Sequence, residues 1–233
     1  MNMSGSYFNP IFTNNICRDK VRVIFELGSR DLQDAYKLYT YYNSIVYAFE
    51  CNPECLQECR KTLHALQNTP HQVRLIDRAV SIVDENVTFY PFDTTKYNNM
   101  GASSMLKIDF SCRDASDPDY GKPNPQTEIT VKGIRLDTFM SENNMTIIDM
   151  LCIDLQGMEL HALQSLGERI RNVTYIITEC SIKNTYVGGA TFMDVYNYLC
   201  EFGFTYVCSD KFNYDFPDVT LTGFSEFDCL FVK

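Results

Sequence analysis

The chain has 233 residues, 45% of them hydrophobic and 21% charged, with a formal net charge of −10. That length and balance fit one globular domain with a single core, and the acidic excess argues against nucleic acid or an anionic membrane as main partner, since both call for surplus Lys and Arg. No apolar run approaches the length that spans a bilayer, no basic-then-apolar leader is visible, and ten cysteines without a secretory signal read as reduced thiols of a cytoplasmic protein.

Residues 1–20 carry scattered aromatics, Tyr7, Phe8 and Phe12, and little periodicity. They read either as an arm packed over the edge of a domain formed by 21–233 or as a partly disordered leader. Residues 21–25 are a short apolar run that ends at Glu26-Leu27-Gly28, and helical spacing of Leu32, Ala35, Tyr36, Tyr39 and Tyr42 follows over 31–42. A buried parallel strand entering a tight glycine turn and then a helix has this form. Residues 44–49 make a second strand ending at Glu50, after which Asn52-Pro53 reads as a helix cap with a first-turn proline. Cys51, Cys55 and Cys59 recur every four residues, one helix face, with no Cys-x-x-Cys pair or nearby His to complete a tetrahedral metal set.

Residues 73–80 give a third strand, with Asp77, Arg78 and Ala79 at its carboxyl end, where an adenine would lie. Residues 87–92, 103–110 and 128–134 have β character, and 111–127, with three prolines, reads as a long surface loop. A short helix over 135–141 precedes a fourth strand, 146–153, which ends in Asp154-Leu155-Gln156-Gly157. A helix over 158–170, a fifth strand over 173–178 ending at Glu179, and a helix from the Thr191 cap to about Phe202, closed by Gly203, come next. Residues 204–208 and 227–232 form a terminal antiparallel pair. The alternation predicts an α/β, doubly wound, Rossmann-like sheet, mostly parallel with a C-terminal antiparallel strand, plus an inserted β-hairpin region at about 87–134.

Four carboxylates, Glu26, Glu50, Asp154 and Glu179, each follow an apolar run directly. If those runs are parallel, all four line the edge where open α/β sheets bind ligands. Glu50 lies 22 positions after Gly28, a placement that suits hydrogen bonds to a ribose diol. A nicotinamide dinucleotide brings a pyrophosphate, which needs several glycines for close backbone approach, and Gly28-Ser29-Arg30-Asp31 has one. S-adenosylmethionine brings an ammonium, a sulfonium and a ribose diol and no phosphate. The glycine-poor, acid-lined edge therefore favours S-adenosylmethionine over NAD.

Several segments carry a family likeness: Phe25-Glu-Leu-Gly-Ser-Arg-Asp31, Val46-Tyr-Ala-Phe-Glu-Cys-Asn-Pro53, Arg78-Ala-Val80, Gly101-Ala-Ser-Ser104, Leu136-Asp-Thr-Phe139 and, most specifically, Ile148-Asp-Met-Leu-Cys-Ile-Asp-Leu-Gln-Gly-Met-Glu159. The chain resembles an FkbM-type methyltransferase of the S-adenosylmethionine-dependent class I fold, over roughly residues 21–232. The resemblance implies Glu26, Gly28 and Ser29 near the methionine end of the cofactor, Glu50 on the ribose, and Asp154 near the sulfonium and acceptor. Arg30, Asp31, Cys51, Asp77, Arg78, Ala79 and Ser103 complete the expected cofactor set. Cys152 stands where the family often has Lys, and Gln156 where it often has Glu, and the opening turn lacks the family's more common Asn and second Gly.

The family mostly methylates hydroxyls of sugars and natural products, so the expectation is an O-methyltransferase acting on a sugar, glycan or related polyol. A small-molecule or glycan acceptor, not nucleic acid, would be its partner. Asp154 is the first candidate base and His161 the second. Alternatively, Asp154 and Glu179 hold a divalent cation that acidifies the hydroxyl. The competing readings are a methyltransferase-like module that binds without turnover and a nicotinamide-dependent oxidoreductase; an RNA methyltransferase fits poorly with the net charge of −10.

Overall fold

The structure, a computed structural model, describes residues 6–66, 72–93, 100–109, 126–182, 186–211 and 226–233. In chain order the elements are α1 (Pro10–Thr13), β1 (Val23–Leu27), α2 (Gln33–Tyr42), β2 (Ile45–Glu50), α3 (Pro53–Ala65), β3 (Val73–Asp77), β4 (Ala79–Val80) and β5 (Asn86–Phe89). There follow β6 (Ile129–Ile134), α4 (Leu136–Glu142), β7 (Ile148–Ile153), α5 (Glu159–Gln164), β8 (Val173–Ser181), α6 (Phe192–Glu201), β9 (Thr205–Ser209) and β10 (Glu226–Val232).

Seven strands form one sheet in the order β3-β2-β1-β7-β8-β10-β9. The first five run parallel, and β10 is antiparallel to both of its neighbours, β8 and β9. The continuous apolar runs of β1 and β7 are explained by their central place, since a parallel strand with helices on both faces buries both sets of side chains. Ile24 and Phe25 show the alternation. Ile24 packs with Leu38, Val46 and Phe12 on one face, and Phe25 with Phe139, Leu163 and Ile153 on the other. Helices α1, α2 and α3 cover the first face, and α4, α5 and α6 the second, so the sheet is doubly wound.

Local sequence signals set several boundaries. The Asn52 side chain accepts a hydrogen bond from the Glu54 backbone N–H at 3.1 Å, with Pro53 in the first turn of α3. Thr191 and Asp194 make a reciprocal capping box on α6. Toward the N-terminus, Phe12 and Val21 are fully buried against the first face of the sheet, and Tyr7, Phe8 and Ile16 nearly so.

Four expectations need correction. The strand over 73–80 breaks at Arg78. Its N–H donates to the Glu50 and Ile76 carbonyls, and β4 then leaves to pair with β6 in a separate three-stranded sheet, β4-β6-β5. The helix over 158–170 stops at Gln164 and resumes as a 3₁₀ turn, Gly167–Asn172, because Gly167 takes a left-handed φ of 51°. Helix α2 begins at Gln33 and not at Asp31, since Arg30 and Leu32 both have positive φ. Residues 103–109 contribute only isolated bridges, Ser104 to Tyr90 and Ile108 to Tyr186. The polar loop expected at 111–127 lies outside the described residues except for its last two. The antiparallel β5–β6 pair is the inserted hairpin region. Among the described residues, no helix is long and apolar enough to cross a membrane.

Candidate functional site

The carboxyl ends of β1, β2 and β7 open into a cavity with an empty volume of about 980 Å³, part of it open to solvent. Its floor is the turn after β1. The Gly28 and Ser29 N–H groups both donate to the Phe49 carbonyl at 3.0 Å, and the Leu27 carbonyl accepts from the Asp154 N–H at 3.0 Å. The turn is thus clamped between the ends of β2 and β7. Gly28 has φ 90°, and a Cβ there would fall 1.9 Å from the Asp154 carbonyl oxygen. Glycine is required at this position by the neighbouring strand, before any ligand is considered.

Glu50 ties two turns together. Its Oε1 accepts from the Cys51 and Asn52 N–H groups, each at 2.7 Å, and its Oε2 accepts from the Arg30 N–H at 2.8 Å. This last bond holds Arg30 in its left-handed conformation and so delays the start of α2. A carboxylate offers about four lone-pair sites; backbone donors take three of those on Glu50, and Oε2 keeps one to offer the cavity. Burial raises the Glu50 carboxyl above its ordinary range, and the three N–H donors oppose that rise.

Glu26 is only 2% exposed and accepts from the Ser29 hydroxyl. Burial pushes its carboxyl up to about 8, against the pull of the Ser29 bond, and the negative fields of Asp34, Glu50 and Asp31 add to the rise. No cation among the described residues pairs with it. A cation brought beside it would draw off its proton and leave a carboxylate partner.

A second cluster sits at the ends of β7 and β8. The Gln156 Nε2 donates to Asp154 Oδ1 and to Glu179 Oε2, each at 2.7 Å, and the Tyr186 hydroxyl lies 2.8 Å from Gln156 Oε1. Burial, followed by the field of Asp154, pushes the Glu179 carboxyl up to about 10. Burial also raises Asp154, and hydrogen bonds from Gln156 and Glu179 hold it down. Burial and mutual repulsion therefore raise both carboxyls, and the two titrate as a pair. Buried Glu159 accepts the Leu155 and Gly157 N–H groups at 3.1 Å, which fixes the loop between them.

Of the residues expected at a cofactor site, Glu26, Gly28, Ser29, Arg30, Asp31, Glu50, Cys51, Arg78, Ala79, Ser103 and Asp154 line this one cavity. Asp77 does not. It turns outward, with its side chain 53% exposed and paired to Arg60 at 2.9 Å. His161 lies on α5 outside the cavity lining, half-buried, with its Nδ1 unpartnered and its ring kept neutral by burial. Glu179 stands behind Gln156 and does not line the cavity. Between Asp154 and Glu179 the Gln156 amide aims its N–H groups at both carboxyls, where a cation would have to sit. Among the described residues, no group of three or more His, Cys, Asp or Glu side chains is arranged to hold a metal ion.

Among the lining residues outside the expected set are Tyr7 and Gln156. Tyr7 comes from the N-terminal arm and closes one wall beside Glu26 and Asp154; nothing local in an aperiodic leader announces such a long-range contact. Gln156 is the other, visible beforehand only as a departure from a family pattern.

Residues 14–206 match the Methyltransferase FkbM domain family. The chain is 26% identical over 171 residues to the 2-O-methyltransferase NoeI of Sinorhizobium fredii (strain NBRC 101917 / NGR234), a match that covers 71% of this chain and 66% of NoeI. The crystal structure of Methyltransferase FkbM from Methylobacillus flagellatus KT superposes with a TM-score of 0.57 at 12% identity, over 97% of this chain and 46% of that one, and so shares the fold. The chain spans just under two thirds of the curated relative and less than half of the solved structure.

Proposed function

We propose that this chain, which belongs to the FkbM methyltransferase family, transfers a methyl group from S-adenosylmethionine to a hydroxyl of a sugar, glycan or related polyol. Membership of that family favours S-adenosylmethionine over the nicotinamide alternative. The observation that carries the cofactor is the pair of buried carboxylates, Glu26 and Glu50, on a turn with one glycine. A pyrophosphate would meet Glu26, Glu50, Asp31 and Asp34 around that turn, and both charge and backbone access oppose it. An ammonium and a ribose diol meet what they require.

In this reading the Glu26 carboxylate holds the ammonium, and the free lone pair of Glu50 Oε2 accepts one ribose hydroxyl. Arg78, Ala79 and Ser103 border the base. Bound S-adenosylmethionine supplies the electrophilic methyl group. The chain aligns the acceptor oxygen, for which effects of about 7 kcal/mol are attainable, and Asp154 takes the hydroxyl proton. NoeI is named a 2-O-methyltransferase, which favours oxygen as the acceptor atom. The net charge of −10 favours a small molecule or glycan over nucleic acid. Thiols packed as apolar groups, such as Cys152 and Cys229, suit the reducing cytoplasm.

Calorimetric titration with S-adenosylmethionine tests the cofactor, with one-to-one binding in the micromolar range expected. An absence of heat at millimolar ligand overturns the assignment. Release of S-adenosylhomocysteine on incubation with mono- and oligosaccharides tests the acceptor class.

The ammonium assignment also predicts the pH dependence of binding. In the free protein Glu26 holds its proton below about 8. An ammonium requires the carboxylate, so binding expels that proton. Affinity should rise with pH, by up to about tenfold per pH unit on the approach to pH 8, and fall again above it as the ligand's own ammonium, with a pKa of about 8, loses its proton. Titrations in buffers of differing ionisation enthalpy count the proton directly, and Glu26→Gln should bind more weakly and without the rising limb. Wild-type affinity that does not change with pH removes the ammonium from Glu26.

A further inference from the structure

Gln156 is held from every side. Its backbone adopts φ 54°, a left-handed conformation that costs a non-glycine residue about 1 kcal/mol or more. Its carbonyl accepts from the buried Ser104 hydroxyl at 2.8 Å. Glu159 anchors Leu155 on one side of it and Gly157 on the other. The Tyr186 hydroxyl, itself 2.9 Å from the Ala102 carbonyl, meets Oε1 and leaves Nε2 facing the two carboxyls. Asp154 Oδ1 and Glu179 Oε2 each lie 2.7 Å from that one nitrogen, so they are separated by no more than twice that distance. Two acidic side chains so close need something positive between them. A divalent cation is one solution, and an amide with two N–H groups and one shared proton is another.

We propose that Gln156 is a positioning residue that takes the place of a metal ion: its amide bridges Asp154 and Glu179, fixes Asp154 beside the acceptor, and frees the reaction from any divalent cation. The inference rests on the methyltransferase reading of this cavity. Charge count supports it. With a neutral amide at 156, both carboxyls face N–H groups at 2.7 Å. A third carboxylate there would leave three acids facing one another and would recruit a cation. The surrounding charges deepen the need for a positive partner: Glu159 on α5 and Glu226 and Asp228 on β10 add negative field at Glu179, and Asp34 on α2 adds it at Asp154, where Arg30 opposes it. Asp228 lies directly across from Glu179 in the β8–β10 register.

The test uses manganese alone as probe, read by its electron paramagnetic resonance, alongside turnover. Wild-type protein should leave manganese free, and its turnover should be unchanged by EDTA. Gln156→Glu should bind about one manganese and should need a divalent cation for turnover. Gln156→Met should lower kcat by about tenfold or more with KM for S-adenosylmethionine within about twofold. If that variant folds poorly, Tyr186→Phe, which releases the amide oxygen, should lower kcat by about threefold on the same split. Stoichiometric manganese bound by the wild type and lost in Asp154→Asn, or turnover abolished by EDTA, overturns the proposal, as does a Gln156→Met enzyme with unchanged kcat. A wild type that fails to bind S-adenosylmethionine overturns the parent reading, and the manganese measurement still decides whether the amide excludes a cation.

Discussion

Gly28→Ala is expected to unfold the binding edge of the sheet, with a loss of stability on the order of 4 kcal/mol. The methyl group would fall 1.9 Å from the Asp154 carbonyl oxygen, a backbone atom that cannot rotate away. That carbonyl belongs to the residue whose N–H pairs with Leu27, and the turn itself hangs on Phe49 through two hydrogen bonds. Relief therefore means parting β1 from β7 at the centre of the sheet. The left-handed backbone adds a further cost of about 1 kcal/mol. For a chain of this size the melting temperature should fall on the order of 10 °C. Gly203→Ala is the matched control: Gly203 has φ 83°, but nothing lies within 4 Å of its Cβ position. That variant should lose only about 1 kcal/mol. Equal melting temperatures for the two would show that β1 and β7 can part without cost and would remove the steric account of Gly28.

The same turn shows what can be read without coordinates. The strand, the glycine and the acid at Glu50 were all legible, because a parallel strand buried on both faces leaves a continuous apolar run that ends abruptly where the chain reaches the crevice. The caps at Asn52 and Thr191 were legible because capping is local chemistry, complete within a few residues. The misreadings share a cause, which is a local pattern overridden by a distant partner. Apolar character continues through 73–80, yet Glu50 takes the Arg78 N–H, and Ala79 pairs in another sheet. Asp77 sits at a strand end like the other acids, but Arg60 on the next-door helix draws it outward. Gly28 does line the cavity, but the Asp154 carbonyl, a distant partner, is a further reason for glycine there. Gln156 looked like a missing charge, and its role as a bridge needed Glu179 and Tyr186 to be in view together.

Asp154→Asn should cost about 10²–10⁴-fold in kcat, the usual range for a lost general base, while the dissociation constant for S-adenosylmethionine changes less than about tenfold. The substitution keeps the side-chain shape. The carbonyl oxygen of asparagine still accepts from Gln156, and the backbone bond to Leu27 is untouched. What disappears is the ionisable group that faces the cavity, and with it the means of taking a proton from the acceptor. Because burial raises Asp154 above the ordinary carboxylate range, wild-type kcat should climb with pH to a plateau as the base ionises, and that acid limb should vanish in Asp154→Asn. Glu179→Gln makes the sharper comparison. Glu179 already holds a proton up to about 10, so a neutral amide that still accepts from Gln156 changes little at pH 7, and its kcat should stay within about tenfold. His161→Ala removes the other candidate base from a helix face outside the cavity, and its kcat should stay within about twofold. A large loss in His161→Ala with full activity in Asp154→Asn would move the base to α5. The ordered series, Asp154 far below Glu179 and Glu179 below His161, is what a single buried charge facing the cavity requires, because only its removal deprives the acceptor hydroxyl of somewhere to send its proton.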